Sequence, residues 1–476
     1  MSVRKTVQKM HNLAKIMSLF CLWIALSSAS TTASASYDLQ ATIDAAKPGE
    51  TIIPPAGIYK GNFTITNAIT FDGSNGVILD AEGKGTVLLV KTTGATVQDM
   101  ILRNSGRLHN ELDSGIQVRG DFNILKNLTM ENVLFGFDIQ QSNNNIVKNN
   151  KINSRDVDLP LRGDAIRLWY STENKILNNI ITDSRDVVVW YSKNNRIAGN
   201  KIRRGRYGIH FMYSQYNLVE KNDIRNNTVG IFLMYSDGIK VLNNKIIESS
   251  GSSGMGIGFK ETSDVIIAGN DVLGNSVGLY LDVSPYQPDS ENLISDNNIS
   301  FNGIGVQFHS DWKGNRIVHN DFASNFTQIV VRGGGSARRH LWDSNHWDSY
   351  EGFDKNKDGK GESPFDLWSY ADRLWMDIMP ISFFRGSPGL EALDFIERLA
   401  PFSEPKHLIR DQQPMMERIA GLDPVELKTN TIHPEPEGDF ENEAETKRAE
   451  AGPAPKVVHS PPSTALQLLL KARQSQ

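Results

Sequence analysis

The sequence predicts an all-β protein, a right-handed parallel β-helix solenoid with a short helical C-terminal segment, and three observations predict it. The first is a recurring phrase of an Asn, one variable residue and an apolar one. It stands at Asn150/Ile152, Asn179/Ile181, Asn200/Ile202, Asn222/Ile224, Asn244/Ile246, Asn270/Val272, Asn297/Ile299 and Asn320/Phe322. Its steps of 21 to 29 residues are those of a stacked repeat. The second is a phrase of Gly, an apolar residue, any residue and another apolar one, which keeps the same time through Gly115, Gly136, Gly208, Gly230, Gly256, Gly278 and Gly305. The third is apolar pairing at period two within each repeat. No stretch of the region sustains the i, i+3, i+4 pattern over the ~11 residues that a helix needs.

Each repeat therefore reads as three short, half-buried strands, and the leucine framework of the rival helical repeat is absent. Asn tolerates left-handed backbone, and its amide can bond to the equivalent turn above and below, so the phrase predicts an internal Asn ladder at a tight turn. The register places Ile209, Phe211, Ile231 and Leu233 in the core. The period predicts about ten to eleven coils between residues ~50 and ~335.

Along the chain, residues 1–35 have the make-up of a cleavable secretory signal peptide. Arg4, Lys5, Lys9 and Lys15 give a basic start, Ile16 to Leu26 an apolar stretch, and Ala33-Ser-Ala35 a cleavage site. The single cysteine, Cys21, lies inside that stretch, so the exported chain is expected to lack disulfides and thiolate metal ligands. The residue before it is Phe20, where lipoprotein attachment needs a small one. Residues 36–335 read as the solenoid, opened by an amphipathic helix after Asp38 that can cap the core. Gly333-Gly-Gly breaks the pattern, and residues 336–420 form a Trp-rich capping or docking segment. Residues 421–476 are an acidic tail too poor in apolar surface to fold. A net charge of −5 argues against nucleic acid as a partner.

Several stretches resemble the NosD family of exported β-helix proteins. They are Gly208-Ile-His-Phe-Met-Tyr-Ser, Gly230-Ile-Phe-Leu-Met-Tyr-Ser-Asp, Asn345-His-Trp-Asp-Ser-Tyr, Gly352-Phe-Asp-Lys-Asn-Lys-Asp-Gly, Asp372-Arg-Leu-Trp, Ser387-Pro-Gly-Leu-Glu-Ala-Leu-Asp-Phe-Ile-Glu-Arg-Leu-Ala-Pro-Phe and Asp411-Gln-Gln-Pro-Met-Met. The resemblance spans residues ~40–418 in order, and the long tail departs from it. It implies a non-catalytic periplasmic accessory factor that works with ABC transporter subunits in maturation of the copper cluster of nitrous oxide reductase, by delivery of copper or sulfur. The implied partners are the transporter, the reductase and a copper chaperone, with membrane contact only through them.

Aligning the repeats puts side chains in columns. His210 falls on the outward face, in a column with Asp138, Arg167, Val188 and Phe232. The next outward column holds Trp169, Trp190, Met212 and Met234, and beside it run Tyr170, Tyr191, Tyr213 and Tyr235. Adjacent coils lie ~4.8 Å apart, so Met212 and Met234 are expected as neighbours with His210 within reach. Two thioethers and an imidazole suit Cu(I). The same stripe also reads as Met and aromatic packing, or as an apolar docking face. Met415 and Met416 form a second soft pair.

Asp354, Asn356 and Asp358, followed by Gly359, have the 1, 3, 5 oxygen spacing of a calcium loop, although Phe365 stands where a twelfth-position Glu belongs. The alternative is an Asp/Gly turn. A helix is expected from Ser387 as N-cap and Pro388 at N1, ended by Pro401. Its apolar face, Leu390, Leu393, Phe395, Ile396 and Leu399, reads either as a lid on the end of the solenoid or as a partner site. Trp347, Trp375, Phe384 and Phe395 are the expected docking anchors. The rival function is a lyase or epimerase acting on an acidic polysaccharide, with Asp138, Asp164, Asp186, Arg167, Arg185 and His210 in a groove.

Overall fold

The computed structural model describes residues 37–419. The signal-peptide stretch and the acidic tail lie outside the described residues. Three parallel sheets of 13, 13 and 12 strands run the length of the solenoid, and each strand pairs with the third strand before and after it in the chain. The first sheet runs from Thr51–Ile52 to Leu341–Asp343, the second from Gly57–Lys60 to His346–Trp347, and the third from Phe63–Ile65 to Thr327–Val331. This is a parallel β-helix of about thirteen coils. The expected ten to eleven coils between residues ~50 and ~335 fall short of this, and the last coil lies beyond that range. The break at Gly333-Gly-Gly does not end the solenoid either. Leu341–Asp343 and His346–Trp347 pair with strands of the preceding coil and complete two of the three sheets.

Period two sets the core. Ile209, Phe211, Ile231 and Leu233 are fully enclosed, and each stacks on its counterpart one coil away. Nearest-neighbour stacking of this kind makes stability a sum over adjacent coils. The glycine of the second phrase permits that stacking: a Cβ on Gly208 would stand 2.5 Å from the carbonyl oxygen of Gly230, and one on Gly230 2.5 Å from that of Gly256.

The Asn ladder is present, and its geometry differs from the sequence expectation in one respect. Asn179 Oδ1 accepts the backbone N–H of Asn150 at 3.0 Å and its side-chain amide at 3.0 Å. The same double contact repeats from Asn179 through Asn200, Asn222, Asn244, Asn270, Asn297 and Asn320 to Asn345. The left-handed backbone falls on the residue just before each ladder Asn, for example Asn149, Asn178, Lys221 and Asn243. The ladder Asn is recruited for its side chain, which satisfies buried backbone that the turn leaves unpaired. A second ladder links Asn123, Asn145, Asn174, Asn195 and Asn217.

Both ends of the core are covered. Helix α1 (Leu39–Ala45), capped by Asp38 accepting from Ala41 N–H at 3.0 Å, buries Leu39 and Ile43 over the first coil. At the other end Trp347 stacks on Phe322 at 4.4 Å between ring centres and on Phe365 at 4.9 Å. Phe365–Ser369 pairs antiparallel with Lys406–Asp411 outside the solenoid. Between these strands lie α2 (Arg373–Asp377) and α3 (Pro388–Leu399). Among the described residues no helix is long and apolar enough to cross a membrane.

Candidate functional site

The third sheet presents the soft-donor face. In the strands Tyr207–Met212 and Val229–Met234, Ile209 and Phe211 point inward, so His210 and Met212 point outward. Met212 is in register with Met234 on the next coil and with Trp190 on the previous one. His210 Nε2 lies 3.2 Å from Met234 Sδ. The expected neighbours are therefore brought together.

The outward position of His210 does not make it exposed. Although outside the solenoid, it is only 8 % exposed, because Tyr207 packs at 4.7 Å and Phe232 at 6.1 Å between ring centres. Burial, with Arg206 and Arg185 nearby, lowers its pKa to about 4 against the opposing pull of Asp186. The imidazole is neutral at physiological pH, which is the form that ligates a metal. Two thioethers on adjacent coils with a neutral imidazole against one of them fit a soft monovalent cation by donor chemistry.

The aromatic stripe adjoins this pair. Tyr170, Tyr191, Tyr213 and Tyr235 stack at 4.8, 5.2 and 4.9 Å, and Trp169 meets Trp190 edge-on at 4.6 Å. All four tyrosines have left-handed backbone at the corner after the strand, an uncommon place for a bulky residue. Trp190 Nε1 is buried without a hydrogen-bond partner.

The charged residues considered for polysaccharide chemistry are spent on one another. Asp138, fully buried, accepts from Arg119 Nη2 at 2.6 Å and Arg167 Nη1 at 3.2 Å. Asp164 accepts from Arg185 at 2.9 and 3.0 Å, and Asp186 is paired with Arg206. Burial raises the pKa of Asp164 to about 6 against the Arg185 charge. These are ion pairs between neighbouring coils, with the carboxylates of Asp138, Asp164 and Asp186 buried.

The Asp/Gly loop is held by its own hydrogen bonds. Asp354 accepts from the N–H groups of Lys357, Asp358 and Gly359 at 2.6, 3.2 and 2.8 Å, and Asn356 Nδ2 donates to Asp358 Oδ2 at 3.0 Å. Gly361 N–H donates to Pro414 O and Met416 N–H to Gly359 O, which ties the loop to the returning chain. Asp366 is committed to Arg410 at 2.7 Å and His407 at 2.6 Å. Among the described residues no group of three or more His, Cys, Asp or Glu side chains converges as a cage for a metal.

The docking anchors divide into two pairs. Trp347 and Trp375 are each 1 % exposed and belong to the core, so the expectation that they face a partner is wrong. Trp347 sits on the last coil, and Trp375 is enclosed between Arg332 and Arg385. Phe384 and Phe395 are exposed. Helix α3 is packed the opposite way to a lid: its buried side chains are Asp394 and Glu397, whereas Phe395 is 62 % and Leu399 72 % exposed. Asp394 accepts from Arg398 Nε at 2.6 Å and from Asp372 N–H at 3.3 Å, and Glu397 accepts from the Ser403 hydroxyl. Only Leu390 reaches the core as a partly buried neighbour.

Sequence reasoning gave Asp411 no role. Its carboxylate terminates the first Asn ladder, and the Asp-Gln-Gln-Pro phrase was the available signal.

Fold and site together define a parallel β-helix with a soft-donor face and an exposed apolar end. The family described as periplasmic copper-binding protein (NosD) matches residues 153–352. A protein of Pseudomonas aeruginosa named as a probable ABC transporter binding protein NosD is 26% identical over 397 residues, covering 78% of this chain and 88% of that protein. One of the same name from Stutzerimonas stutzeri is 28% identical over 390 residues, covering 76% and 86%. The chain is thus similar to the NosD family over residues 153–352 and to these two relatives over most of its length. Among solved structures, the A-module of the mannuronan C-5 epimerase AlgE6 of Azotobacter vinelandii is similar over 63% of this chain and 92% of its own length, with a TM-score of 0.49 and 16% identity.

Proposed function

We propose that this protein is a non-catalytic periplasmic accessory factor that works with an ABC transporter in maturation of the copper cluster of nitrous oxide reductase. Its cargo is Cu(I), held in transit by His210, Met212 and Met234. The observation that carries this reading is the 3.2 Å contact between His210 Nε2 and Met234 Sδ on a coil face where Met212 is the register neighbour. The family's description as copper-binding and its relatives' names as transporter binding proteins support it. Residues 37–419 contain no cysteine, so a persulfide has no sulfur to form on there, which favours copper over sulfur as cargo. The pairing of Asp138, Asp164 and Asp186 with arginines argues against the lyase or epimerase alternative.

Docking on the transporter falls to the exposed end, with Phe384 and Phe395 as anchors. The reductase and a copper chaperone are the further partners of this reading. Met415 and Met416 are tied by backbone bonds to Asn345 and Gly359 and are secondary candidates for the cargo.

Two measurements test it. A Cu(I) competition titration of the His210→Ala/Met212→Ala/Met234→Ala variant should show affinity reduced by at least about tenfold; parental affinity would remove this site. Affinity capture of the full chain from periplasm and membrane should bring transporter subunits, and Phe384→Asp/Phe395→Asp should lose them while thermal stability moves by no more than about 0.5 kcal/mol. Capture unaffected by that variant would place docking elsewhere.

A further inference from the structure

We propose a second Cu(I) site at the C-terminal end of the solenoid, made by Nε2 of His346 and the thioether of Met415, with Asp321 holding the imidazole in place. The inference rests on the reading above for the identity of the cargo and gives that cargo a further place on the chain.

Period two and register bring these residues together. Phe322 and Trp347 point into the core, so Asp321 and His346, which precede them, stand on the outer side of the second sheet. That outer column runs Asp271, Asn298, Asp321 and His346 from coil to coil. The returning chain adds one rung to it. Met415 pairs in parallel with His346, and its N–H donates to the Asn345 carbonyl at 2.9 Å. Register partners lie about 4.8 Å apart and project to the same side, so the half-buried Met415 leaves its backbone on the face that carries the imidazole. Its other edge bridges Lys360, which fixes it between the last coil and the Asp/Gly loop.

His346 is prepared as a ligand. Its Nδ1 lies 2.6 Å from Asp321 Oδ1. Burial pulls the Asp321 pKa up, and the hydrogen bonds from His346 and Arg418 outweigh it, holding the carboxyl below its ordinary range. An ionised carboxylate can only accept, so the neutral ring carries its proton on Nδ1 and its lone pair on Nε2. Among the described residues nothing hydrogen-bonds to that Nε2. A carboxylate behind the distal nitrogen orients a metal-binding imidazole and raises its basicity. Imidazole with thioether selects a soft ion. Hard divalent ions want oxygen, and both Asp321 oxygens are already engaged, Oδ2 by Arg418 at 2.8 Å.

The site is separate from the first. About six coils lie between His210 and His346, roughly 29 Å along the axis, so one ion cannot touch both. It flanks the end assigned to docking. Arg418 also donates to Ser300 Oγ at 3.3 Å, whereas Arg385, three residues before α3, donates to the Gly303 carbonyl and to Thr327 Oγ1 at 3.0 Å. Ser300 and Gly303 are no more than about 11 Å apart.

Counting ions tests this. A Cu(I) competition titration of the full chain, against a colorimetric chelator with oxygen excluded, should find two ions on the parent. One should remain on His346→Gln/Met415→Leu, and one on His210→Ala/Met212→Ala/Met234→Ala. A parental count on His346→Gln/Met415→Leu would overturn the proposal and leave the His210 site standing. A single ion on the parent, lost from His346→Gln/Met415→Leu and kept by the triple variant, would support it while removing the first site. Because the double substitution also alters packing, the unaltered protein supplies a second reading with Ag(I) as a diamagnetic stand-in. The imidazole nitrogen resonance that disappears in His346→Gln should shift as Ag(I) is added, and a resonance that stays in place would overturn the proposal. Asp321→Asn should weaken this ion by about tenfold, with the count at the His210 site unchanged; unaltered affinity would refute the positioning role of Asp321.

Discussion

Asp411 Oδ2 accepts both the backbone N–H of Asn345, at 3.1 Å, and its side-chain amide, at 2.8 Å. The same oxygen accepts from Trp347 Nε1 at 3.0 Å. A ladder of identical residues must end somewhere, and its last rung has an unmet donor pair. Here a carboxylate from the returning chain takes the place of the next Asn. Burial raises the Asp411 pKa against these hydrogen bonds.

Removing that acceptor should be costly. Asp411→Ala leaves buried donors of Asn345 and Trp347 without a partner, and the expected loss is about 3–5 kcal/mol. Asp411→Asn keeps an acceptor oxygen and should lose less. Urea denaturation of the two variants checks this, and equal stability of Asp411→Ala and the parent would refute the capping role.

Phe211 is fully enclosed between Val189 and Leu233 on the neighbouring coils. Phe211→Ala should create a cavity costing roughly 3–5 kcal/mol. Thermal denaturation is the measurement, and an unchanged Tm would mean that the inward and outward positions are exchanged.

His210 gives a pH signature. Its folded pKa of about 4 lies below the ordinary 6.5 because burial favours the neutral ring. Its contribution to stability is fully present above about pH 6.5 and is lost as pH falls through about 4. Protons therefore compete for the ligand only near the lower value. Cu(I) affinity should stay level from about pH 8 to 5, where an ordinary imidazole site weakens below about 6.5. A decline beginning near pH 6.5 would show that burial does not hold the ligating ring neutral.

The 1, 3, 5 spacing of Asp354, Asn356 and Asp358 leads to the expectation that calcium would tighten a turn that already bonds to the returning chain at Pro414 and Met416. Calcium at ~10–100 times its Kd should add roughly 1.4–2.7 kcal/mol to stability, and Asp354→Ala should abolish the increment. A Tm indifferent to calcium and to chelator would reduce the loop to an Asp/Gly turn.

The sequence by itself determined the solenoid, its in-and-out alternation, the Asn ladder, and the meeting of His210 with Met234. A repeat encodes these because every coil touches only its neighbours, so a period of 21 to 29 residues is also a contact map. It determined the start of α3 as well, where Ser387 accepts from Leu390 N–H at 3.4 Å, since a cap is local. Tertiary structure decided the rest. The burial of Trp347 and Trp375, the inversion of α3 onto Asp394 and Glu397, and the capture of Asn345 by Asp411 all arise in the non-repeating segment. Partners there are set by how one unique chain folds back on the last coil. Apolar periodicity specifies which face of a helix is greasy, but the ion pairs of Asp394 and Glu397 decided which face was turned inward. The covering of His210 is of the same kind, because a register names its neighbours and only the packed rings of Tyr207 and Phe232 exclude water from it.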